Sequence, residues 1–165
     1  MKKIIALALC LLFALSFAAC GGNNDVTEPS GDTQTAAVDL AVVLDAIKTG
    51  TALEGTQAVS ADSLYDVYGI ESTQYKQAAC CIVPTGVFPA EVLMFEAVDA
   101  DALAAISAKL ELRLQEVKNQ SQSYDAENYA LAQKCAVKTE GNFIALFISA
   151  DAEQMNTILF ETYVK

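Results

Sequence analysis

Thiols are the most reactive side chains in this 165-residue chain, which contains five cysteines and no histidine. Without histidine the chain has no Ser-His-Asp or Cys-His catalytic group and no imidazole metal ligand. Cys80 and Cys81 are adjacent in a strand-like segment, so their side chains point to opposite faces of it. Cys135 could form a disulfide with Cys80 or Cys81 if two predicted hairpins lie side by side. The alternative is that the three thiols are small buried hydrophobic groups.

Carboxylates form the second chemically active group, with 21 Asp and Glu against 10 Lys and Arg. Asp99 and Asp101 have the spacing that begins a calcium-binding loop, but the sixth position is alanine and the twelfth is leucine. They are therefore predicted to begin a helix, where acidic side chains are favourable. Glu91 and Glu96 have an odd separation on one predicted strand, so they face opposite ways. We predict no catalytic, metal-binding or cofactor-binding residue, no cofactor and no enzymatic activity; the alternative is a carboxylate-dependent cell-wall hydrolase.

Three tyrosines are grouped around a glycine. Tyr65, Tyr68 and Tyr75 surround Gly69-Ile70 in the sequence. Tyrosine is common at binding surfaces because it combines a large apolar area with a polar tip. The three side chains are therefore a candidate interaction surface, and the alternative is that they form the edge of the core beside a short helix.

The net charge of −11 restricts the partners of the chain. A nucleic-acid-binding protein needs a basic surface to neutralise phosphates, and this composition is acidic, so we predict no nucleic-acid partner. The same charge repels anionic lipid head groups, so the folded part is expected to stand off a bilayer. Apolar residues make up 53% of the chain and are spread along it, which is typical of a globular domain.

The N-terminal segment indicates export. Residues 1–19 contain two lysines, an unbroken apolar run and small residues at the end, as a secretory signal peptide does. The junction reads Phe-Ala-Ala-Cys and is similar to a bacterial lipobox, although Phe17 stands where leucine is usual. We therefore expect Cys20 to carry lipid, with acyl chains such as palmitate. More than one acyl chain is needed for stable anchoring.

Residues 20–36 are rich in Gly, Asn, Asp, Ser and Thr and contain few residues that could enter a core. They are predicted to be a flexible tether between the lipid and a single domain over residues 37–165. The domain is then expected on the extracytoplasmic face of the cell membrane, in the cell envelope, where its partner would be another protein.

Hydrophobic periodicity predicts an α+β domain in the order α-α-ββ-α-α-ββ-α, with an antiparallel sheet built from two β-hairpins and helices packed on it. The predicted helices cover residues 39–48, 61–68, 99–121 and 126–134, with a last one from residue 151. A polar break is predicted at residues 121–123. The predicted strands cover residues 75–83, 91–98, 135–139 and 143–149, and Gly141-Asn142 is a two-residue hairpin signal.

The last strand is apolar on both faces. Phenylalanine and alanine alternate with isoleucine and leucine over residues 143–148, so neither face is suited to water. We expect the N-terminal helices of the chain to cover the second face. A small-molecule carrier that uses this apolar face is a further alternative for function.

The order of several short motifs makes the chain resemble a known family. After the lipobox come Asp39-Leu40, Tyr68-Gly69-Ile70, Glu91-Val92 leading to Phe95, Asp99-Ala100, Tyr124, Tyr129, Gly141-Asn142-Phe143 and Ile148-Ser149. Together they resemble a family of uncharacterised Firmicutes lipoproteins that is catalogued only as a domain of unknown function (DUF family 4358), over about residues 38–163. The resemblance implies a lipid-anchored envelope domain and no activity or catalytic residue. We expect a non-enzymatic binding or interaction module.

Overall fold

A computed structural model describes residues 37–51, 53–84 and 90–165 of the chain. The predicted signal peptide, Cys20 and the predicted tether lie outside the described residues. Within them the α-helices are α1 Leu40–Gly50, α2 Ala61–Tyr68, α3 Ala100–Tyr124, α4 Ala126–Ala132 and α5 Ala152–Asn156. Helix α5 continues directly into a π-helix, Thr157–Val164, and the two together are called the C-terminal helix. None of the described helices has both the length and the apolar character needed to cross a membrane.

One antiparallel sheet contains five strands, which are β1 Gln57–Ala58, β2 Tyr75–Val83, β3 Ala90–Ala97, β4 Val137–Glu140 and β5 Phe143–Ile148. The strand order is β1-β2-β3-β5-β4. The predicted hairpins β2–β3 and β4–β5 both form, and they join each other through β3 and β5. The α+β fold class and the order of its main elements are therefore confirmed. The two-residue strand β1, which pairs with β2, was not predicted.

Helix α3 covers one face of the sheet. Its buried side chains recur every three or four residues, as one face of a helix requires. They pack on alternate residues of the two central strands, and α2 adds Leu64 to the same cluster. The central-strand residues of this cluster are Leu93, Phe95, Ala97, Ile144, Leu146 and Ile148.

Helix α1 and the C-terminal helix cover the opposite face. Their buried side chains Leu40, Val43, Ile47, Met155, Leu159 and Phe160 pack on Ala79, Cys81, Val92, Met94, Ala145 and Phe147 of the sheet. Gln154 Nε2 donates a hydrogen bond of 2.9 Å to the Gly50 carbonyl oxygen, which joins the two helices. The expectation that N-terminal helices cover this face is correct for α1 only, since α2 packs on the other face.

Short polar side chains set the helix ends. Asp39, Ser60 and Asp99 each accept a hydrogen bond from a backbone N–H of the first helical turn, in α1, α2 and α3 respectively. Helix α2 ends at Gly69, whose φ of 68° lies in the left-handed region that favours glycine. The elements therefore begin and end close to the predicted positions.

Helix α3 continues through the predicted polar break and ends at Tyr124. Ser121 is buried, and its Oγ donates a hydrogen bond of 2.7 Å to the Val117 carbonyl oxygen one turn earlier. Because the hydroxyl is satisfied inside the helix, the polar residue does not end it. Asp125 then ends α3 and accepts a hydrogen bond of 3.0 Å from the Asn128 N–H at the start of α4.

The second hairpin has the predicted two-residue turn, because Glu140 and Phe143 pair directly and Gly141 has a φ of 57°. Strand β4 is shorter than predicted and begins at Val137. Cys135 therefore lies before the strand, where its N–H donates a hydrogen bond of 3.2 Å to the Ala132 carbonyl oxygen at the end of α4.

Candidate functional site

Three side chains from separate elements meet around a buried carboxylate. Glu91 at the start of β3 is only 1% exposed. Arg113 of α3 donates from Nε to both Glu91 oxygens, at 3.1 and 3.2 Å, and its second nitrogen Nη2 also contacts Oε1. The hydroxyl of Tyr68, at the end of α2, donates to Oε2 at 3.2 Å. The Arg113 guanidinium carbon also lies 5.9 Å from the centre of the Tyr68 ring.

The electrostatics of this Tyr68–Glu91–Arg113 cluster keep the proton on both donors, Tyr68 and Arg113. Burial, together with the nearby Glu91 carboxylate, raises the pKa of the Tyr68 hydroxyl. The hydrogen bonds to Glu91 raise the pKa of Arg113 despite its partial burial. Both partners therefore remain proton donors, and both carboxylate oxygens are occupied. The cluster ties α2 and α3 to the sheet, and its carboxylate is not free to act as the general acid of a hydrolase.

Glu96 lies on the other side of β3, as the odd separation predicts. It accepts hydrogen bonds of 2.7 Å from Gln77 Nε2 and 2.9 Å from Lys76 Nζ, which lower the pKa of its carboxyl group. The same Gln77 side chain accepts a hydrogen bond of 2.9 Å from the Leu40 N–H and donates one of 2.8 Å to the Val38 carbonyl oxygen. These bonds hold the first turn of α1 against the sheet.

Cys80, Cys81 and Cys135 are buried and free, which corrects the prediction that Cys135 pairs with Cys80 or Cys81. The hairpins do lie side by side, but they meet through β3 and β5. Strands β3 and β5 therefore lie between β2, which contains Cys80 and Cys81, and β4. At the usual strand spacing β2 and β4 are roughly 14 Å apart. A disulfide needs Cα atoms closer than about 7 Å.

The three thiols behave as small hydrophobic groups. Burial raises the pKa of Cys80 to about 12 and also raises those of Cys81 and Cys135, so the thiol form dominates at neutral pH. Cys80 and Cys81 enter opposite core clusters, as neighbours on a strand must. In the described part of the chain no three His, Cys, Asp or Glu residues are placed to hold a metal ion.

The three predicted interaction tyrosines have different environments. Tyr68 is engaged with Glu91, and Tyr75 is half-buried with its ring 5.6 Å from that of Phe95. Both pack against the core on the α3 face, so the prediction of one shared tyrosine surface is wrong for these two. Tyr65, on the outer side of α2, is 58% exposed.

Tyr65 lies in a shallow concavity of about 490 Å³ between α2 and the 3₁₀ turn Ser72–Gln74. We call this concavity the α2 groove; it is lined by Ala61, Asp62, Tyr65, Asp66, Glu71, Ser72 and Thr73. Three of its seven residues are acidic, and all seven are exposed. The groove therefore presents one aromatic face surrounded by carboxylates, an arrangement suited to a cationic group.

The position of Glu91 in its strand is a sequence signal for the buried cluster. Glu91 is two and four positions from Leu93 and Phe95 on β3, so its side chain faces the same side of the sheet. Its carboxylate therefore points into the core and needs a partner there. Arg113 lies outside the buried stripe of α3, yet its side chain is only 21% exposed. The acidic residues of the α2 groove could not be grouped from sequence, because Glu71 comes near Asp62 and Asp66 only when the chain turns at Gly69.

One comparison with known proteins, the comparison with family models, gives a match. The family described as "Domain of unknown function (DUF4358)" matches residues 51–149, which include α2, α3, α4 and the five strands. Helix α1 and the C-terminal helix lie outside the matched range. No curated protein and no solved structure gives a significant match. Because the match covers more than half of the sequence, this chain belongs to the DUF4358 family of domains of unknown function.

Proposed function

We propose that the chain is a lipid-anchored, non-enzymatic binding module on the extracytoplasmic side of a Firmicutes cell membrane. Its partner would be a protein of the envelope that presents a cationic side chain to the α2 groove. The observation that carries this proposal is the 58% exposure of Tyr65 inside a concavity with three carboxylates.

The sequence supports the anchoring part of the proposal. Cys20 follows two alanines and an apolar run with the features of an export signal. Lipid on this cysteine would hold the chain at the bilayer, and the tether predicted from the composition of residues 20–36 would let the domain contact a neighbouring protein. The net charge of −11 favours a domain that projects away from anionic head groups.

The shape and charge of the α2 groove support the binding part. An aromatic ring attracts a cation placed over its face, and such contacts contribute about 0.5–1 kcal/mol at an exposed site. The carboxylates of Asp62, Asp66 and Glu71 line the same groove, so charge-assisted hydrogen bonds to a cation there are available. A lysine or arginine of a partner would therefore satisfy the ring and the carboxylates at once.

Crosslinking in the native host tests the proposal. Full-length lipoprotein is crosslinked in cells and its partners are identified by mass spectrometry, with Cys20→Ala as the control for anchoring. One dominant protein partner is expected, and it should be lost in Cys20→Ala. In Tyr65→Ala its yield should fall about two- to fivefold, the loss that corresponds to about 0.5–1 kcal/mol at an exposed aromatic site.

Tyr124→Ala is the matched control, because this tyrosine is 86% exposed at the end of α3 and does not belong to the α2 groove. It should retain the partner at the yield of the unchanged protein. The proposal is overturned if no partner exceeds background, or if Tyr65→Ala and Tyr124→Ala retain the partner equally.

A further inference from the structure

A second concavity lies beside β4, at the edge of the sheet. It encloses about 280 Å³ between this strand and the C-terminal helix. We call it the edge cavity; it is lined by Lys138, Thr139, Glu140, Glu153, Asn156, Thr157, Phe160 and Glu161. It shares no residue with the α2 groove, so the two sites can be tested separately.

An unpartnered polar group belongs to the wall of the edge cavity. The Asn156 side chain is more than nine-tenths buried, and its Nδ2 donates a hydrogen bond of 2.7 Å to the Ala152 carbonyl oxygen. This bond fixes the amide orientation and leaves Oδ1 as the remaining acceptor. Oδ1 receives no hydrogen bond from any residue that the structure describes. Buried acceptors in proteins normally have a donor, so this oxygen is a polar atom of the wall that a donor would stabilise.

The charges around Asn156 indicate which donor fits. Glu153 and Glu161 lie on the helical wall and Glu140 lies on the strand, against one positive charge at Lys138. Glu153, Asn156 and Phe160 are three and four positions apart, so they occupy one face of the helix, toward the cavity. An ammonium or guanidinium group would offset the surplus of carboxylates, and its N–H groups are the kind of donor that the Asn156 oxygen lacks.

The backbone of β4 indicates what carries that group. β4 is the last strand of the sheet order and pairs with β5 on one side. In an antiparallel pair the residues alternate between those bonded to the partner strand and those whose N–H and C=O point outward. Glu140 and Phe143 flank a two-residue turn and therefore form a hydrogen-bonded pair. The next residue, Thr139, is in a pair without hydrogen bonds, so its N–H and C=O point away from β5. This outward row is available to an extended peptide.

We propose that an extended basic segment of a partner protein adds to β4 as a sixth antiparallel strand. Lys138 and Glu140 are paired with Ala145 and Phe143, which lie on the sheet face covered by the C-terminal helix. Side chains of the added strand opposite them project to the same face and therefore into the edge cavity. A lysine or arginine there places its cation in the cavity that Asn156, Glu153 and Glu161 line. Backbone pairing supplies affinity, and the cavity supplies the preference for a basic side chain.

Peptide binding to the purified full-length lipoprotein in detergent tests the inference. The probe is a fluorescent, capped seven-residue peptide that alternates valine and lysine. One matched peptide has glutamate in place of lysine, and another keeps the lysines but carries N-methyl groups on alternate amides. The lysine peptide is expected to bind. The other two should bind at least about tenfold more weakly, because one lacks the cation and the other lacks the backbone donors.

Variants assign the binding to the edge cavity. Asn156→Leu and the double variant Glu153→Gln with Glu161→Gln should each weaken the lysine peptide about tenfold. The double variant changes two exposed side chains, so it keeps the test valid if Asn156→Leu fails to fold. Tyr65→Ala should leave this binding unchanged, which separates the inference from the proposed function.

Three results would overturn the inference. The first is equal affinity for the lysine and glutamate peptides. The second is unchanged binding in the Glu153→Gln, Glu161→Gln variant. The third is binding of free lysine amide as tight as that of the peptide, which would indicate a small-amine site without strand addition.

Discussion

Replacing Arg113 with methionine would measure how strongly the Tyr68–Glu91–Arg113 cluster holds α3 on the sheet. Methionine retains most of the apolar stem but leaves Glu91, which is 1% exposed, without its charged partner. Removing one member of a buried ion pair costs about 3–5 kcal/mol. The Arg113 side chain is 21% exposed, so water reaches the pair from one side and we expect a loss near the lower limit, about 3 kcal/mol.

Replacing Glu91 instead of Arg113 should lower the free energy of unfolding by less. Glu91→Leu leaves a partly exposed guanidinium that water can still hydrate, and it removes the acceptor of the Tyr68 hydroxyl, which costs about 1 kcal/mol. The double variant Glu91→Leu, Arg113→Met contains no buried charge. It should therefore be more stable than Arg113→Met alone, because a buried pair replaced by apolar side chains is often nearly neutral.

Urea unfolding followed by circular dichroism gives these differences as shifts of the midpoint at constant slope. Lys76→Met is the matched control, since it removes the ion pair with Glu96 from a lysine that is 50% exposed and should cost less than about 1 kcal/mol. The reasoning is refuted if Arg113→Met loses no more than Lys76→Met, or if the double variant is less stable than both single variants.

Three further changes have defined outcomes. Gly69→Ala should lower the free energy of unfolding by about 1–2 kcal/mol in urea, because the residue has a φ of 68° and an added Cβ would lie 3.1 Å from Lys109 Nζ. Asp99→Ala should cost about 1 kcal/mol in the same assay, since it removes the side chain that accepts from the Ala102 N–H at 2.8 Å. Cys80, with a pKa raised from 9.0 to about 12, keeps its proton in the folded state after the unfolded chain has lost it. Its contribution to stability is therefore complete below pH 9 and lost between pH 9 and 12, so Cys80→Ala should flatten the fall of the urea midpoint over that range.

Local patterns predicted most of the elements. The apolar periodicity over residues 39–48, the helix start at Asp99 and the Gly141-Asn142 turn are short-range signals, and each element forms where its signal lies. The continuation of α3 through Ser121 was missed because it depends on one hydroxyl being satisfied within the helix. The π-helical end of the chain has no recognised signal in this sequence.

The candidate sites depend on long-range geometry and were predicted less well. Glu91 and Arg113 are 22 positions apart and meet only because β3 packs beneath α3. The disulfide prediction failed for the same reason, because pairing between hairpins decides which strands become neighbours. Tyr65 was singled out by residue type alone, and only the structure separates its exposed ring from those of Tyr68 and Tyr75.

The layer made by α1 and the C-terminal helix has a kinetic consequence. Its contacts span nearly the whole domain, and the hydrogen bond between Gln154 and Gly50 joins residues 104 positions apart. Contacts between distant residues slow folding, because a long loop must close before they contribute. Helix α1 has 11 residues and is too short to be stable alone in water. During synthesis α1 is made before the C-terminal helix, so the apolar sheet face that the two share stays partly exposed until that helix is complete.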